Sequence, residues 1–203
     1  MPDLKTGLNN INNNAAKRKK DTTKKIALSA ILSALGVIFL TFGALIDVLD
    51  LSSAVFAGFV IIICVIEIRG HYPILMYLVI SAVSLLILPN KYPAVFFIFF
   101  GGFYPIFKAY VERFHYFISW VVKFSVFNIF FALMIFAIGF LTEKGFLPRL
   151  DDNIYLENFK ENFKFLGFVI ANIIFLLYDI AMTKIITLYI IKIRKLLKLD
   201  NYF

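Results

Sequence analysis

The sequence predicts an all-α fold, a polytopic integral membrane bundle of six transmembrane helices, and three observations predict it. First, 61% of the 203 residues are hydrophobic and 17% are charged, whereas soluble domains are about half apolar and about a quarter charged. Second, the apolar residues fall into six windows that approach or exceed the length needed to cross a bilayer. Third, the cations are distributed unevenly between the segments that join these windows. A soluble enzyme is excluded, because one small core cannot remove this much apolar surface from water.

The six apolar windows are residues 26–46, 51–68, 72–89, 92–107, 116–141 and 165–191. The second to the fourth are short or interrupted by proline, so five spans with a re-entrant segment are the alternative count. We expect one six-helix transmembrane domain over residues 26–195, followed by a cytosolic tail over 196–203.

Residues 1–25 precede the first window and are rich in asparagine and lysine. Seven of the 21 cations lie here, so much of the net charge of +8 belongs to a local tail. A segment with so few apolar residues cannot bury a core, which predicts a disordered, basic cytosolic arm. Charge confined to such a tail does not indicate a nucleic-acid-binding surface.

The orientation follows from the cations outside the windows. With the N-terminus in the cytosol, fourteen of them fall in cytosolic segments and five in outer segments. Cytosolic loops are enriched in Lys and Arg, so both termini are predicted to lie inside, an N-in/C-in topology. The outer loop over 142–164 repeats apolar residues at helical spacing, which predicts an amphipathic helix over the outer mouth. Alternatively, that helix only covers the bundle.

Ionisable residues occur inside the last two windows, Lys123 in the fifth and Asp179 in the sixth. Charges at this depth are unfavourable by roughly 2.5–3.5 kcal/mol each, so they usually face a partner inside the bundle. When two antiparallel helices pack side by side, the numbers of residues that face each other have a nearly constant sum. The pair Asn128 and Asn172 has nearly the same sum as the pair Lys123 and Asp179, so one register aligns both pairs. We therefore predict a polar seam of these four residues. It either holds the helices together or serves transport or binding.

Polar residues also mark the predicted outer ends of the helices. Asp47, Asp50, Asn90 and Lys91 are candidates for capturing a polar solute from outside. The alternative is that these side chains are only solvated, as loop carboxylates often are.

Small residues mark two places of close packing. Ala30 and Ala34 form an A-x-x-x-A pattern in the first window, and such a thin flank lets another helix approach closely. That helix belongs either to this chain or to a partner subunit. Gly101 and Gly102 indicate a kinked or closely packed fourth span.

Two further patterns surround the fourth window. Its aromatic residues either line a cavity for a planar ligand by stacking or fill gaps and face lipid; they are Phe96, Phe97, Phe99, Phe100 and Phe103. After them, Lys108 and Glu112 lie one turn apart and predict a short cytosolic helical face.

Catalytic and metal-binding signatures are absent from the sequence. No metalloprotease, hydrolase or phosphate-loop motif occurs, and the two histidines, His71 and His115, are far apart. The single cysteine, Cys64, excludes an internal disulfide. We therefore expect no metal site, no cofactor and no enzymatic activity.

The layout resembles the substrate-binding S components of energy-coupling factor (ECF) transporters. The similarity covers residues 24–195 at the level of topology, and its only motif is the A-x-x-x-A pattern of Ala30 and Ala34. It implies that these alanines contact a transmembrane coupling subunit, which in turn works with two ATPases. It also implies that Asp47, Asp50, Asn90 and Lys91 lie near a captured vitamin or trace metal. No substrate-specific signature matches, and the N-terminal histidine of the metal-type members is absent.

These patterns support one functional hypothesis and two alternatives. The first is a substrate-capture subunit in a bacterial plasma membrane, which binds a small, vitamin-like solute and is energised by partner subunits. The second is a noncatalytic membrane protein that assembles with or regulates partner membrane proteins. A membrane enzyme is the third. An outward cavity would favour the first, a closed bundle the second, and an inward wet pocket around Lys123 and Asp179 the third.

Overall fold

The computed structural model describes residues 2–68, 70–113, 115–143 and 162–193. Within these ranges the chain forms six α-helices and no β-strand: α1 (Pro2–Leu45), α2 (Asp50–Glu67), α3 (Tyr72–Ile87), α4 (Tyr92–Val111), α5 (Tyr116–Glu143) and α6 (Asn162–Leu188). All except α3 are long and apolar enough to cross a membrane. At 16 residues, α3 is about 24 Å long, shorter than the span expected over 72–89. The prediction of a polytopic helical membrane bundle is confirmed.

Two predicted segments fall largely outside this description. Residues 144–161 of the expected outer helix over 142–164 lie outside the described residues, as does the expected tail over 196–203.

The first helix differs from the expectation for residues 1–25. A disordered arm is predicted there, whereas in the structure α1 runs without interruption from Pro2 to Leu45. Ala15, Ala16 and the following lysines and arginine are strong helix formers. Once the apolar part of α1 has nucleated a helix, extension toward the N-terminus adds one hydrogen bond for each ordered residue. Residues 13–24 are all exposed, so this part of the arm is a basic helix outside the bundle.

The bundle has two apolar cores that meet at α2 and α4. The first joins α1, α2, α3 and the start of α4 around Leu40, Ile61, Ile80 and Phe97, all of them fully buried. The second is largely aromatic and joins α2, α4, α5 and α6. Since α2 and α4 contribute to both cores, they form the centre of the bundle.

The central helices cross at glycines. A Cβ atom at Gly58 would overlap the carbonyl group of Gly101, and a Cβ atom at Gly101 would overlap the carbonyl group of Ala54. Absence of a side chain at these positions lets the two backbones touch. Close packing of the fourth span is therefore present, as Gly101 predicts.

A π-helical turn, Phe97–Gly101, interrupts α4. The N–H group of Gly102 donates to Phe97 O at 2.7 Å, five residues back, rather than to Ile98 O, four residues back, as it would in an α-helix. The hydroxyl group of Tyr77 on α3 donates to Ile98 O at 3.0 Å. A tertiary contact thus satisfies the carbonyl group that the π turn releases. The turn also changes which face of α4 the later residues occupy.

Candidate functional site

Four charged side chains from three helices form a closed ring, which we call the ion ring. Lys108 lies near the end of α4 and Glu112 directly after it, while Lys123 is on α5 and Asp179 on α6. The Nζ atom of Lys108 is 2.9 Å from Glu112 Oε1 and also contacts Asp179 Oδ1. The Nζ atom of Lys123 is 3.0 Å from Glu112 Oε1 and 3.3 Å from Asp179 Oδ1. Each lysine therefore contacts both carboxylates.

The four side chains of the ion ring differ in how deeply they are buried. The side chains of Lys108, Lys123 and Asp179 are 1%, 6% and 5% exposed, whereas that of Glu112 is 44% exposed. In the orientation that the cations predict, Glu112 lies at the cytosolic end of α4. The ring is thus buried on three sides and reaches solvent through one carboxylate.

Neutral groups complete the hydrogen bonding of the ion ring. Tyr104, one turn before Lys108, donates its hydroxyl hydrogen to Asp179 Oδ1. Lys108 donates to the hydroxyl oxygen of Thr183 at 2.9 Å and lies 3.3 Å from the main-chain oxygen of Asp179. The Nζ atom of Lys123 is 5.8 Å from the ring centroid of Trp120, within the range of a cation–π contact. Buried charges need such compensation, because desolvation otherwise exceeds their mutual attraction.

The structure brings together all four residues of the predicted polar seam. Lys123 Nζ is 3.3 Å from both carboxylate oxygens of Asp179. Asn128 and Asn172 exchange side-chain hydrogen bonds, with Nδ2 to Oδ1 distances of 3.1 and 3.2 Å. Each amide also donates to a carbonyl oxygen four residues earlier on its own helix. The asparagine pair therefore links α5 to α6 on the side of the ion ring away from Glu112.

Sequence reasoning misses half of the ion ring. The sequence places Lys108 and Glu112 together on a cytosolic helical face, and they do contact each other, but Lys108 is almost fully buried. The available signal is a spacing of four residues: Tyr104 and Lys108 on α4 and Glu112 directly after it recur at this interval. Asp179 and Thr183 show the same interval on α6. Residues four apart share one helix face, so each set presents a polar row to the other.

An apolar cavity of about 200 Å³ lies between α4, α5 and α6. Nine of its fourteen lining residues are aromatic, and Phe103 of α4 stacks on Phe130 of α5 with ring centroids 4.2 Å apart. Of the aromatic residues expected to line a cavity, Phe96, Phe99, Phe100 and Phe103 do so. Phe97 instead is fully buried in the first core, because it lies about 100° around the helix from Phe96 and therefore on another face of α4.

Of the four predicted outer residues, Asp50, Asn90 and Lys91 form hydrogen bonds with residues close to them in the sequence. The Oδ1 atom of Asn90 accepts a hydrogen bond from the N–H group of Tyr92 at 3.0 Å, and Lys91 Nζ donates to Leu88 O. Asp50 begins α2, and its carbonyl oxygen accepts a hydrogen bond from Ser53. The backbone of Asp47 lies in a 3-10 turn, Asp47–Leu49, and its side chain is outside the described part. Among the described residues, the lining of the aromatic cavity includes none of these four.

Ala30 and Ala34 lie in a surface groove between α1 and α3. The groove has a volume of about 600 Å³ and is lined on the α3 side by residues such as Leu75 and Val79. Both alanines are exposed. The thin flank of α1 therefore remains accessible over its small residues.

Comparisons with protein-family models, with characterised proteins and with solved structures found no match to this chain. The chain is a helical membrane protein with several membrane-spanning helices. Its function is therefore argued from the geometry of the cavity, the ion ring and the groove.

Proposed function

We propose that the protein is a membrane-embedded solute-capture subunit that binds a small, vitamin-like solute in the aromatic cavity between α4, α5 and α6. The observation that carries this proposal is the cavity of about 200 Å³ with nine aromatic lining residues. An enclosed apolar cavity of about 150 Å³ in another protein stays dry and binds benzene, whereas the cavity here is partly open, since its lining residues Leu51 and Ile174 are 44% and 48% exposed. The cavity here has room for a somewhat larger molecule, such as a substituted aromatic ring.

The lining defines the chemistry of the solute. Aromatic side chains bind planar rings in offset-stacked or edge-to-face arrangements. Among the described lining residues, only Tyr104 carries a side-chain oxygen atom, and its hydroxyl group already donates to Asp179. A mostly apolar, planar solute fits this lining better than a sugar, an amino acid or a metal ion does, because those need several polar partners.

The charge distribution supports capture from outside. With both termini in the cytosol, the residues that line the cavity belong to the middle and outer parts of α4, α5 and α6, while Glu112 faces the cytosol. The proposal includes a location in a bacterial plasma membrane, as the resemblance to ECF S components implies.

The resemblance to ECF S components supports energisation by partners. In that family, the first helix contacts a transmembrane coupling subunit through its alanines. Here Ala30 and Ala34 are exposed in the groove between α1 and α3, so a helix of a coupling subunit can approach α1 closely. In this proposal the chain is noncatalytic and the associated ATPases supply the energy.

Native mass spectrometry of the purified protein tests solute binding. The wild-type chain is compared with Ala171→Phe, which places a ring in the cavity, and with Ala132→Phe, which changes an exposed alanine of α5. We expect a bound small molecule in the wild type and in Ala132→Phe, and its loss in Ala171→Phe. A wild-type protein without a bound molecule, or an Ala171→Phe variant that retains it, would contradict the proposal.

A second candidate function is the noncatalytic assembly or regulation of membrane partners. The observation that favours it is the groove of about 600 Å³, which is larger than the aromatic cavity and lies at the surface. In this case the ion ring and the asparagine pair only stabilise the bundle. Ala34→Leu should then abolish copurification of a partner, while Ala27→Leu, an exposed alanine outside the groove, and Ala171→Phe should leave it unchanged.

A further inference from the structure

The ion ring has one member that differs from the other three in position and freedom. Lys108, Lys123 and Asp179 are held within α4, α5 and α6 and are at most 6% exposed. Glu112 follows the last residue of α4, Val111, and its side chain is 44% exposed. Its carboxylate can therefore leave the ring by rotation about side-chain bonds, without unpacking a helix.

The charges of the ring make this carboxylate necessary. Two lysines and Asp179 together carry one net positive charge in a buried setting. An uncompensated buried charge is strongly unfavourable, and Glu112 Oε1 provides the compensation at 2.9 Å from Lys108 and 3.0 Å from Lys123. A singly charged anion placed between the two lysines would supply the same compensation.

We propose that Lys108 and Lys123 form a binding site for an oxyanion, a phosphate or carboxylate group, which enters from the cytosolic edge and displaces Glu112. Both ammonium groups contact the same carboxylate oxygen of Glu112. They are therefore close enough together to bind an oxygen atom of another anion in the same way. Asp179, Tyr104 and Thr183 hold the lysines in place when Glu112 moves out. Glu112 is thus an internal competitor for the site. This inference is independent of the solute proposed for the aromatic cavity.

Inorganic phosphate is the probe for the test. The full chain in nanodiscs of zwitterionic lipid is titrated with phosphate at constant ionic strength, with chloride as the balancing anion, and binding is measured by equilibrium dialysis. Glu112→Gln removes the competitor. Glu143→Gln is the matched control, because it makes the same charge change at an exposed position at the other end of α5.

We expect the dissociation constant of phosphate to fall at least about tenfold in Glu112→Gln relative to the wild type, and to stay unchanged in Glu143→Gln. Adding Lys123→Gln to Glu112→Gln should abolish the gain, since only one lysine remains. Equal phosphate binding by the wild type, Glu112→Gln and Glu143→Gln would overturn the proposal.

A second variant covers the case in which Glu112→Gln does not fold. Glu112→Asp keeps the charge but shortens the side chain, so it competes less well; its phosphate affinity should lie above that of the wild type. An affinity equal to that of the wild type in this variant would also overturn the proposal.

A lipid headgroup offers the same chemistry as free phosphate. Nanodiscs that contain phosphatidylglycerol distinguish the two sources. If the headgroup occupies the site, Glu112→Gln retains more anionic lipid than Glu143→Gln in native mass spectrometry, and added phosphate removes the excess. If free phosphate is the ligand, the tenfold gain appears in zwitterionic nanodiscs as well. Both results support an oxyanion site; absence of both contradicts it.

Discussion

Tyr104 donates its hydroxyl hydrogen to the carboxylate of Asp179, and its aromatic ring lines the cavity between α4, α5 and α6. One side chain therefore contacts both the apolar cavity and the ion ring. A ligand that shifts the ring of Tyr104 must also change the hydrogen bonding of Asp179. The two sites are in this way connected by a single buried contact.

Tyr104→Phe tests this contact, because it keeps the aromatic ring and removes the donor. A hydrogen bond to a charged group contributes roughly 1.5–3 kcal/mol. We expect the free energy of unfolding to fall by about that amount, measured by thermal or denaturant unfolding in detergent. Solute binding in the cavity should change little, since the lining area is preserved.

Tyr178→Phe is the matched control. Tyr178, which lies on α6, is buried like Tyr104, but its hydroxyl group has no hydrogen-bond partner among the described residues. Removal of an unsatisfied buried hydroxyl is neutral or stabilising. Equal losses of stability in Tyr104→Phe and Tyr178→Phe would show that the bond to Asp179 contributes nothing specific.

Removal of either lysine breaks the ion ring, but not to the same degree. Lys108 is 1% exposed and contacts Asp179, Thr183 and Glu112. Either lysine still pairs with Asp179 when the other is removed, but Lys108 also donates to Thr183 and is the more deeply buried of the two. We expect Lys108→Met to destabilise the protein by about 3–5 kcal/mol, as loss of a buried partner does, and Lys123→Met to have a smaller effect.

Unfolding curves and expression levels of the two variants measure this difference. Lys184→Met is the control, since it removes a cation near the cytosolic end of α6 that lies outside the ring. A greater loss in Lys123→Met than in Lys108→Met would mean that Lys123, and not Lys108, provides the main neutralisation of Asp179.

The helices and the polar seam could both be predicted from the sequence, because both follow from regular spacing of residues. The fifth window, 116–141, corresponds closely to α5, Tyr116–Glu143, because the apolar residues alone define a membrane-crossing length. A constant sum of facing residue numbers was enough to align Lys123 with Asp179 and Asn128 with Asn172.

The burial of Lys108 could not be predicted from regular spacing in this way. The fourth window, 92–107, stops directly before Lys108, because Glu112 and Arg113 follow this lysine within five residues and end the apolar run. What buries this lysine is Asp179, 71 residues later in the chain, and no local pattern on α4 reports that partner. The π turn depends likewise on a tertiary contact, the hydrogen bond from Tyr77 to Ile98 O.

Tyr77→Phe therefore tests the π turn of α4. In the π turn the N–H group of Gly102 donates to Phe97 O and not to Ile98 O. Without the Tyr77 hydroxyl group, Ile98 O also loses the hydrogen bond of 3.0 Å that takes its place. A buried acceptor left unsatisfied is unfavourable by about 1–3 kcal/mol. We expect faster amide hydrogen exchange over residues 97–102, measured by mass spectrometry. Tyr110→Phe is the control: Tyr110 is half-exposed, and its replacement should leave this exchange unchanged. Unchanged exchange in Tyr77→Phe would show that the turn does not need this bond.

The crossing of α2 and α4 gives the last prediction. A methyl group at Gly101 would overlap the backbone carbonyl of Ala54, which cannot move away as a flexible side chain can. Gly101→Ala should therefore separate the two helices and lower the free energy of unfolding by about 1–3 kcal/mol or more. Gly139→Ala is the matched control on α5, because its Cβ atom would meet nothing within 4 Å.

Helix propensity alone acts in the opposite direction, since Ala is favoured over Gly in a helix by about 1 kcal/mol. Gly139→Ala should accordingly be neutral or slightly stabilising, while the overlap in Gly101→Ala outweighs the same gain. Unfolding of both variants in one detergent compares them directly. A Gly101→Ala variant as stable as Gly139→Ala would mean that α2 and α4 do not touch at this glycine.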